Sequence, residues 1–201
     1  EALGARTRRV LWSRFYFETG PRALAQGAEA VRAELERLLA GGIETAPGMV
    51  HLVGAGPGDP ELLTLRARKL LHEADVVIHD RLVSPEILEL ARREARIVSV
   101  GKKGFGPATP QDEINRLMVQ AAREGASVVR LKGGYPAIFG RLDEEAEALD
   151  AAGVPYAVVP GITAASAAAA AIGRSLTRRG RNSALRILTG HDVNGFAEQD
   201  W

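Results

Sequence analysis

The sequence predicts an α/β protein with a five-stranded, mainly parallel sheet and helices on both faces. A short helical extension precedes this domain, and the start of a second α/β domain follows it. Two observations support this fold class. From residue 48 onward, short apolar runs alternate with segments of helical periodicity, which is typical of βαβ units. The first apolar run, at residues 50–53, is followed at once by Gly54, Gly56 and Gly58, and glycines after a buried strand leave room for a ligand against the backbone.

The first 42 residues differ from the rest, because aromatic side chains cluster there among basic ones. Gly20-Pro21 is predicted to break the chain. Residues 23–40 repeat apolar side chains at helical spacing and are predicted to form one amphipathic helix. Two short helices cannot bury both their faces alone. The extension, residues 1–47, therefore either packs on the main domain or forms a dimerisation hairpin, and we favour the hairpin.

The main domain is predicted at residues 48–160 and holds four more strands. Each is a short, mostly apolar run, at residues 75–79, 96–100, 127–131 and 156–160. Four helices are expected to connect the five strands, at residues 61–71, 84–93, 111–124 and 142–152. A helix from about Thr163, a basic segment and a strand at residues 185–189 would begin a second domain over residues 161–201. We expect that second domain to be incomplete.

Composition argues against several classes of function. Lys+Arg 26 against Asp+Glu 25 leaves a net charge of +1, which does not suit a general nucleic-acid-binding protein. Without cysteine there are no disulfides and no thiolate metal sites, and we expect no metal. The apolar stretches are too short to span a bilayer and the N-terminus lacks a secretory signal, so we expect a cytoplasmic protein with no membrane partner.

The glycine-rich loop at residues 54–59 departs from the dinucleotide-binding fingerprint. That fingerprint requires a third glycine where this chain has Asp59, and it has no place for Pro57 inside the loop. Asp80 does lie about where the ribose-binding acid would be, which keeps dinucleotide binding as a minor alternative. Because the carboxylate of Asp59 would repel a pyrophosphate, the loop suits an uncharged or cationic ligand better.

The segments that follow the other four strands are also rich in glycine and polar residues. Since the carboxyl ends of parallel strands meet at one edge of a sheet, these segments are expected to surround a single crevice. In chain order the motifs are VGAGPGDPELLT, HDRLVSPEIL, VGKK, PQDEIN, VVRLKGG, IFGR, PGITAA and LTGH. This series, over residues 48–191, resembles the uroporphyrinogen-III C-methyltransferases of the tetrapyrrole methylase fold.

The resemblance implies a reaction and a set of partners. Methyl groups would pass from S-adenosyl-L-methionine to two pyrrole carbons of uroporphyrinogen III, a small-molecule tetrapyrrole, and the product would be precorrin-2. The N-terminal helices resemble the dimerisation segment of the fused sirohaem synthases, which implies a homodimer. By analogy with the family, roughly half of the second domain would be missing.

The resemblance also implies roles for individual residues. Asp80 corresponds to the family's general base and Lys102 to its proton donor. The cofactor-contacting positions correspond to Pro57, Gly133, Gly134, Tyr135, Ile138, Thr163 and Ala164. Tyr135 stands where the family has an aspartate. Arg130 and Arg141 are expected to bind substrate carboxylates, because guanidinium groups pair with carboxylates in a bidentate way.

Simpler interpretations remain open for these residues. Asp80 could cap the helix after its strand, Lys102 could be a solvated loop charge, and both arginines could be ordinary surface charges.

Two alternatives remain open for the function. The chain could be another methylase of the same fold, acting on a precorrin, ribosomal RNA ribose or a modified histidine (diphthamide). It could also be an inactive module that dimerises or binds the cofactor.

Overall fold

The computed structural model of the protein describes residues 5–41, 48–101, 109–182, 184–192 and 195–196. At its centre is a five-stranded sheet with the strand order β3-β2-β4-β1-β5, in which all neighbouring strands are parallel. The strands are β1 Met49–Gly54, β2 Val76–His79, β3 Arg96–Ser99, β4 Ser127–Lys132 and β5 Tyr156–Val159. The predicted α/β fold class is confirmed, and every strand end lies within one residue of its predicted position.

Helices cover both faces of the sheet. They are α4 Leu65–Glu73, α5 Pro85–Leu88, α6 Gln111–Arg123 and α7 Leu142–Ala151. Leu71 of α4 and Ile87 of α5 are buried in the apolar layer on one face. Met118 of α6 and Leu149 of α7 are buried in the layer on the other. Parallel sheets covered by helices in this way usually bind ligands at the carboxyl ends of their strands.

Two of the connecting helices are shorter than predicted. α5 ends at Leu88, where the sequence suggested a helix to about Arg93. α4 begins at Leu65 and not at residue 61, because a 3₁₀ turn at Pro60–Leu62 comes first. The side chain of Thr64 accepts a hydrogen bond of 3.1 Å from the backbone N–H of Ala67, and this cap sets the start of α4.

The N-terminal extension comprises α1 Ala5–Arg14, a π-helical turn Phe15–Thr19, α2 Gly20–Gln26 and α3 Ala28–Ala40. The predicted break at Gly20-Pro21 is wrong, because Pro21 lies in the first turn of α2, where its missing N–H has no helical partner to lose. The chain breaks instead at Gly27, whose φ is +105°. The single helix predicted over residues 23–40 is therefore two helices.

An ion pair joins the extension to the main domain. The Arg9 guanidinium lies 3.1 Å from the Asp75 carboxylate and donates to the backbone oxygen of Glu73 at 3.5 Å. Asp75 also accepts from the backbone N–H of Ser127 at 2.9 Å and pairs with Arg92. Helix α1 thus packs on the domain, whereas no side chain of α3 is buried.

After β5 the described chain forms α8 Ala164–Ala171, an irregular segment and a two-stranded antiparallel hairpin, β6 His191–Asp192 and β7 Gly195–Phe196. The strand predicted at residues 185–189 is wrong, because these residues follow an irregular path. Leu185, Ile187 and Leu188 are about half exposed, so the segment lacks the covered face that fixes a strand.

The predicted domain boundaries remain predictions. Within the described ranges, no helix is both long and apolar enough to cross a membrane.

Candidate functional site

The backbones that leave β1, β4 and β5 touch one another at the carboxyl edge of the sheet. Gly56 and Gly134 exchange two backbone hydrogen bonds, of 3.1 Å and 2.7 Å. A β-carbon on Gly161 would lie 2.1 Å from the carbonyl oxygen of Gly134, and one on Gly54 would lie 2.6 Å from the same oxygen. Glycine is required at both positions because any side chain would overlap backbone. The contact joins the three loops into the floor of a cleft.

This cleft has a volume of about 460 Å³. The seven residues that the resemblance assigned to the cofactor, Pro57, Gly133, Gly134, Tyr135, Ile138, Thr163 and Ala164, all line it. The remaining lining residues, which sequence reasoning did not assign, are Gly56, Leu82, Phe139, Ala165, Ile187 and Leu188. None of these residues is charged. The cleft walls are therefore mostly apolar side chains and glycine backbone, with Tyr135 and Thr163 as the polar side chains.

Asp80 lies beside this cleft, directly after β2. Its Oδ1 accepts a hydrogen bond of 3.0 Å from the backbone N–H of Leu82, which itself lines the cleft. The interpretation of Asp80 as a helix cap is wrong, because the N-cap of α5 is Ser84. The carboxylate stabilises the turn before that helix instead. Lys102, the predicted proton donor, lies outside the described residues.

Arg130 is not placed to bind a substrate. Arg130 is only 3% exposed, and its Nε donates a hydrogen bond of 2.9 Å to the Glu145 carboxylate. Other donors of the same guanidinium reach the backbone oxygens of Ile78 at 3.4 Å and Leu131 at 3.3 Å. The predicted carboxylate-binding role fails because this guanidinium is buried against α7 and already paired.

Glu145 is fully buried and takes a second cation, Lys132, whose Nζ lies 2.9 Å from its Oε2. Burial lowers the pKa of the Lys132 ammonium below its usual value, and the Glu145 carboxylate opposes that shift without reversing it. Sequence reasoning missed this pair. The available signal was that Arg130 and Lys132 are two cations on one face of a buried strand, and buried charges need partners.

Arg141 lies next to the cleft and is exposed. It adopts left-handed backbone geometry, with φ +53°, and its guanidinium makes two hydrogen bonds of 2.6 Å to the Glu144 carboxylate. Arg141 lowers the pKa of Glu144 through these bonds. Because both partners are exposed, such a pair contributes little to stability and can exchange for another carboxylate.

Comparison with known proteins gives the family. A model of the Tetrapyrrole (Corrin/Porphyrin) Methylases matches residues 49–201. The chain belongs to the tetrapyrrole methylase family. The match begins at β1 and includes every residue that lines the cleft. The resemblance predicted from the motifs is confirmed.

Relatives of this methylase include sirohaem synthases. The siroheme synthase of Pseudomonas aeruginosa (strain UCBPP-PA14) is 53% identical over 196 residues, which cover 96% of this chain and 42% of the relative. That of Azotobacter vinelandii is 50% identical, with 98% of this chain and 42% of the relative covered. The chain thus spans less than half the length of these relatives.

Solved structures of the same family are also similar. A uroporphyrin-III C-methyltransferase from Thermus thermophilus, complexed with S-adenyl homocysteine, is 45% identical with a TM-score of 0.62, over 75% of this chain and 60% of that one. A cobalt precorrin-4 methyltransferase is 36% identical with a TM-score of 0.58, over 65% of this chain and 52% of that one.

Proposed function

We propose that this chain carries the site for S-adenosyl-L-methionine-dependent methylation of uroporphyrinogen III to precorrin-2. The observation that supports this most is the cleft itself. Seven residues were assigned to the cofactor from motifs in three separate loops, and all seven line one cavity. Adjacent parallel strands bring these three loops together in any such sheet, and within the loops the assigned positions are among those that line the cavity.

The cleft fits the proposed cofactor in size and character. A volume of about 460 Å³ lies within the range of small-molecule sites, which are mostly apolar with a few polar groups. Gly133 and Gly134 present backbone to the cavity, and Gly134 has φ +67°, a conformation that glycine adopts without strain. With no charged side chain among the described lining residues, the cavity suits a sulfonium better than a phosphate.

The residues of this chain would then have two tasks. When bound, S-adenosyl-L-methionine supplies a methyl group on a sulfonium, which is already a strong electrophile. The cleft must align that methyl group with a ring carbon of the substrate, and orientation of this kind supplies much of the rate. Asp80 would accept the proton that the methylated ring must lose. Its Oδ1 is held by Leu82, which orients the carboxylate beside the cleft. Lys102 remains the proposed proton donor, on the resemblance alone.

Carboxylates of the tetrapyrrole need cationic partners near the cleft. We propose Arg141 for this role, since it is exposed and can exchange Glu144 for a substrate carboxylate. Arg130 does not share this role, because opening its pair with Glu145 would leave a buried charge unpaired.

Two measurements on the full chain test the function. Calorimetric titration with S-adenosyl-homocysteine should show binding, and uroporphyrinogen III with S-adenosyl-L-methionine should give precorrin-2 by absorbance. Asp80→Asn should keep the affinity within about twofold and reduce turnover by about 10²–10⁴-fold, the usual loss on removing a general base. Asp143→Asn, an exposed acid in the first turn of α7, is the matched control and should change neither. Equal loss of binding and turnover in Asp80→Asn would mean that Asp80 only supports the turn.

A second candidate is methylation of another precorrin, favoured by the similarity to the cobalt precorrin-4 methyltransferase. Turnover of a later precorrin, with none on uroporphyrinogen III, would select it. Binding of S-adenosyl-homocysteine without turnover of either substrate would select a cofactor-binding module.

We also propose a cytoplasmic location, with which the lack of cysteine agrees.

The N-terminal helices support a further part of the proposal, a homodimer. Trp12, Tyr16 and Phe17 are 43%, 58% and 84% exposed, and Leu24 and Leu39 on the next helices are also exposed. Exposed apolar side chains in this number are typical of a surface that a second subunit covers. Sedimentation of the chain with and without residues 1–46 tests this. A monomer in both forms would exclude it.

A further inference from the structure

The loop between β4 and α7, residues 133–141, carries much of the cleft wall. Gly133, Gly134, Tyr135, Ile138 and Phe139 all belong to it and all line the cavity. The loop is also conformationally costly: Phe139 has φ +51°, a left-handed value that residues with side chains rarely adopt. Such geometry persists only where surrounding contacts impose it.

Lys132 supplies one of them from the strand that precedes the loop. Its Nζ donates a hydrogen bond to the backbone oxygen of Gly140, near the other end of the loop. This bond closes residues 132–140 into a ring. Gly140 is itself tightly held, because a β-carbon there would lie 2.2 Å from the carbonyl oxygen of Pro136. The lysine therefore anchors the loop where it folds back towards α7.

The position of the Lys132 ammonium is determined in turn by Glu145. This carboxylate is fully buried in α7. Its Oε1 accepts a hydrogen bond of 2.9 Å from Arg130, and its Oε2 forms an ion pair of 2.9 Å with Lys132. Asp80 also acts on Lys132, because its negative charge raises the pKa of the lysine against the lowering caused by burial. Lys132 thus links the cleft loop to the α7 carboxylate.

Arg130 shares the carboxylate but does not touch the loop. Its other hydrogen bonds go to the backbone oxygens of Ile78 in β2 and Leu131 in β4, both strand residues. Arg130 and Lys132, the two cations paired with Glu145, are both buried and carry the same charge. They differ in the backbone to which they donate hydrogen bonds. Arg130 holds strand backbone, and Lys132 holds the cleft loop.

We propose that Lys132 is a positioning residue for the ligand cleft. Lys132 fixes the 133–141 loop through its hydrogen bond to Gly140, and Glu145 fixes the lysine. The ligand assignment rests on the proposed function, but the anchoring of the loop does not. Lys132 does not line the cavity, and it acts through the loop backbone.

The experiment compares Lys132→Met with Arg130→Met in the full chain. Each variant removes one buried cation from the same carboxylate and replaces it with an apolar side chain of similar length. Both are expected to unfold at lower temperature. Hydrogen exchange at the amides of residues 133–141 should rise at least tenfold in Lys132→Met and stay within threefold of wild type in Arg130→Met. Affinity for S-adenosyl-homocysteine should fall about tenfold in the lysine variant alone.

Equal loop exchange in the two variants, or an unchanged loop in Lys132→Met, would overturn the proposal. If Lys132→Met does not fold, Lys132→Gln retains a donor for Gly140 without the charge, and it should keep the loop protected. If the amides of residues 133–141 in Lys132→Gln exchange as fast as amides without structural protection, the proposal is also overturned. A wild-type chain that does not bind S-adenosyl-homocysteine would disprove the proposed ligand, while the exchange data would still decide the role of Lys132.

Discussion

Gly161 and Gly134 approach so closely that a β-carbon on Gly161 would lie 2.1 Å from the carbonyl oxygen of Gly134. The contact joins the loop after β5 to the loop after β4, and Gly54 at the end of β1 completes it, 2.9 Å from the same β-carbon position. Three strand ends, far apart in sequence, thus meet through main chain alone. The floor of the ligand cleft depends on this contact.

Replacement of Gly161 by alanine should be strongly destabilising. The new methyl group meets backbone on both sides, so the loops must move apart, and overpacking of this kind costs about 1–3 kcal/mol. We expect the upper end of that range in urea unfolding, together with weaker binding of S-adenosyl-homocysteine. Gly190→Ala is the control, because a β-carbon there meets nothing within 4 Å. A Gly161→Ala protein as stable as wild type would contradict the close contact.

Tyr135 occupies the position where the family pattern has an aspartate, and its side chain lines the cleft. If the phenol takes up space that the ligand needs, Tyr135→Asp should bind S-adenosyl-homocysteine several-fold more tightly. Tyr135→Phe keeps the ring and should bind like wild type. Calorimetry on the three proteins measures this. Equal affinities in all three would show that neither the size nor the charge of this side chain matters.

His51 should make the fold sensitive to acid. This β1 residue is 8% exposed and its Nδ1 has no hydrogen-bond partner in the described structure. Burial lowers its pKa below the usual value, with a smaller contribution from the Arg66 charge and an opposing one from Glu73. Below about pH 6.5, His51 is therefore protonated in the unfolded chain but still neutral in the folded chain. The free energy of unfolding then falls as the pH falls towards the pKa of His51 in the folded chain.

We expect the free energy of unfolding to drop more between pH 7.5 and pH 5.5 in wild type than in His51→Gln. Urea unfolding at the two pH values measures the difference. His72→Gln, at an exposed position on α4, should behave like wild type. If His51→Gln shows the same acid-induced loss as wild type, the destabilisation has another source.

Arg9 should hold the N-terminal extension to the domain without adding much to the stability of the domain. Its side chain is 38% exposed, and Asp75 keeps Arg92 and the Ser127 N–H as partners when it is lost. Arg9→Met should therefore cost about 0.5–1 kcal/mol and speed proteolytic release of the extension. Arg92→Met should cost more, because that guanidinium is less exposed and also donates to the backbone oxygen of Ala74 at 2.7 Å.

Urea unfolding and limited proteolysis of both variants check this ranking. Arg8→Met serves as the surface control, since Arg8 is exposed on the same helix. An Arg9→Met variant whose extension is cleaved no faster than in wild type would show that the Arg9–Asp75 pair does not hold the extension.

Local chemistry was sufficient to predict several features of this protein. The five strands could be predicted to within a residue because each contains a short, mostly apolar run, which is typical of parallel strands packed between helices. This holds even for β3, an edge strand whose residues are mostly exposed. The positions predicted to contact the cofactor come from motif resemblance, and they line one cleft because parallel strands all end at one edge. Thr163, for example, was predicted to start a helix, and its side chain caps α8.

Other features depended on contacts that no local pattern contains. Arg130 looks like a carboxylate ligand in sequence, and only the tertiary packing of α7 brings Glu145 onto its guanidinium and removes it from the site. The role of Lys132 in the cleft loop is another consequence of that contact. The predicted strand at residues 185–189 has suitable residues, but a strand is stabilised by its neighbours. The sequence thus determined which segments are apolar and which can turn, while the buried charge pairs and backbone contacts were decided by tertiary structure, because their partners lie far apart along the chain.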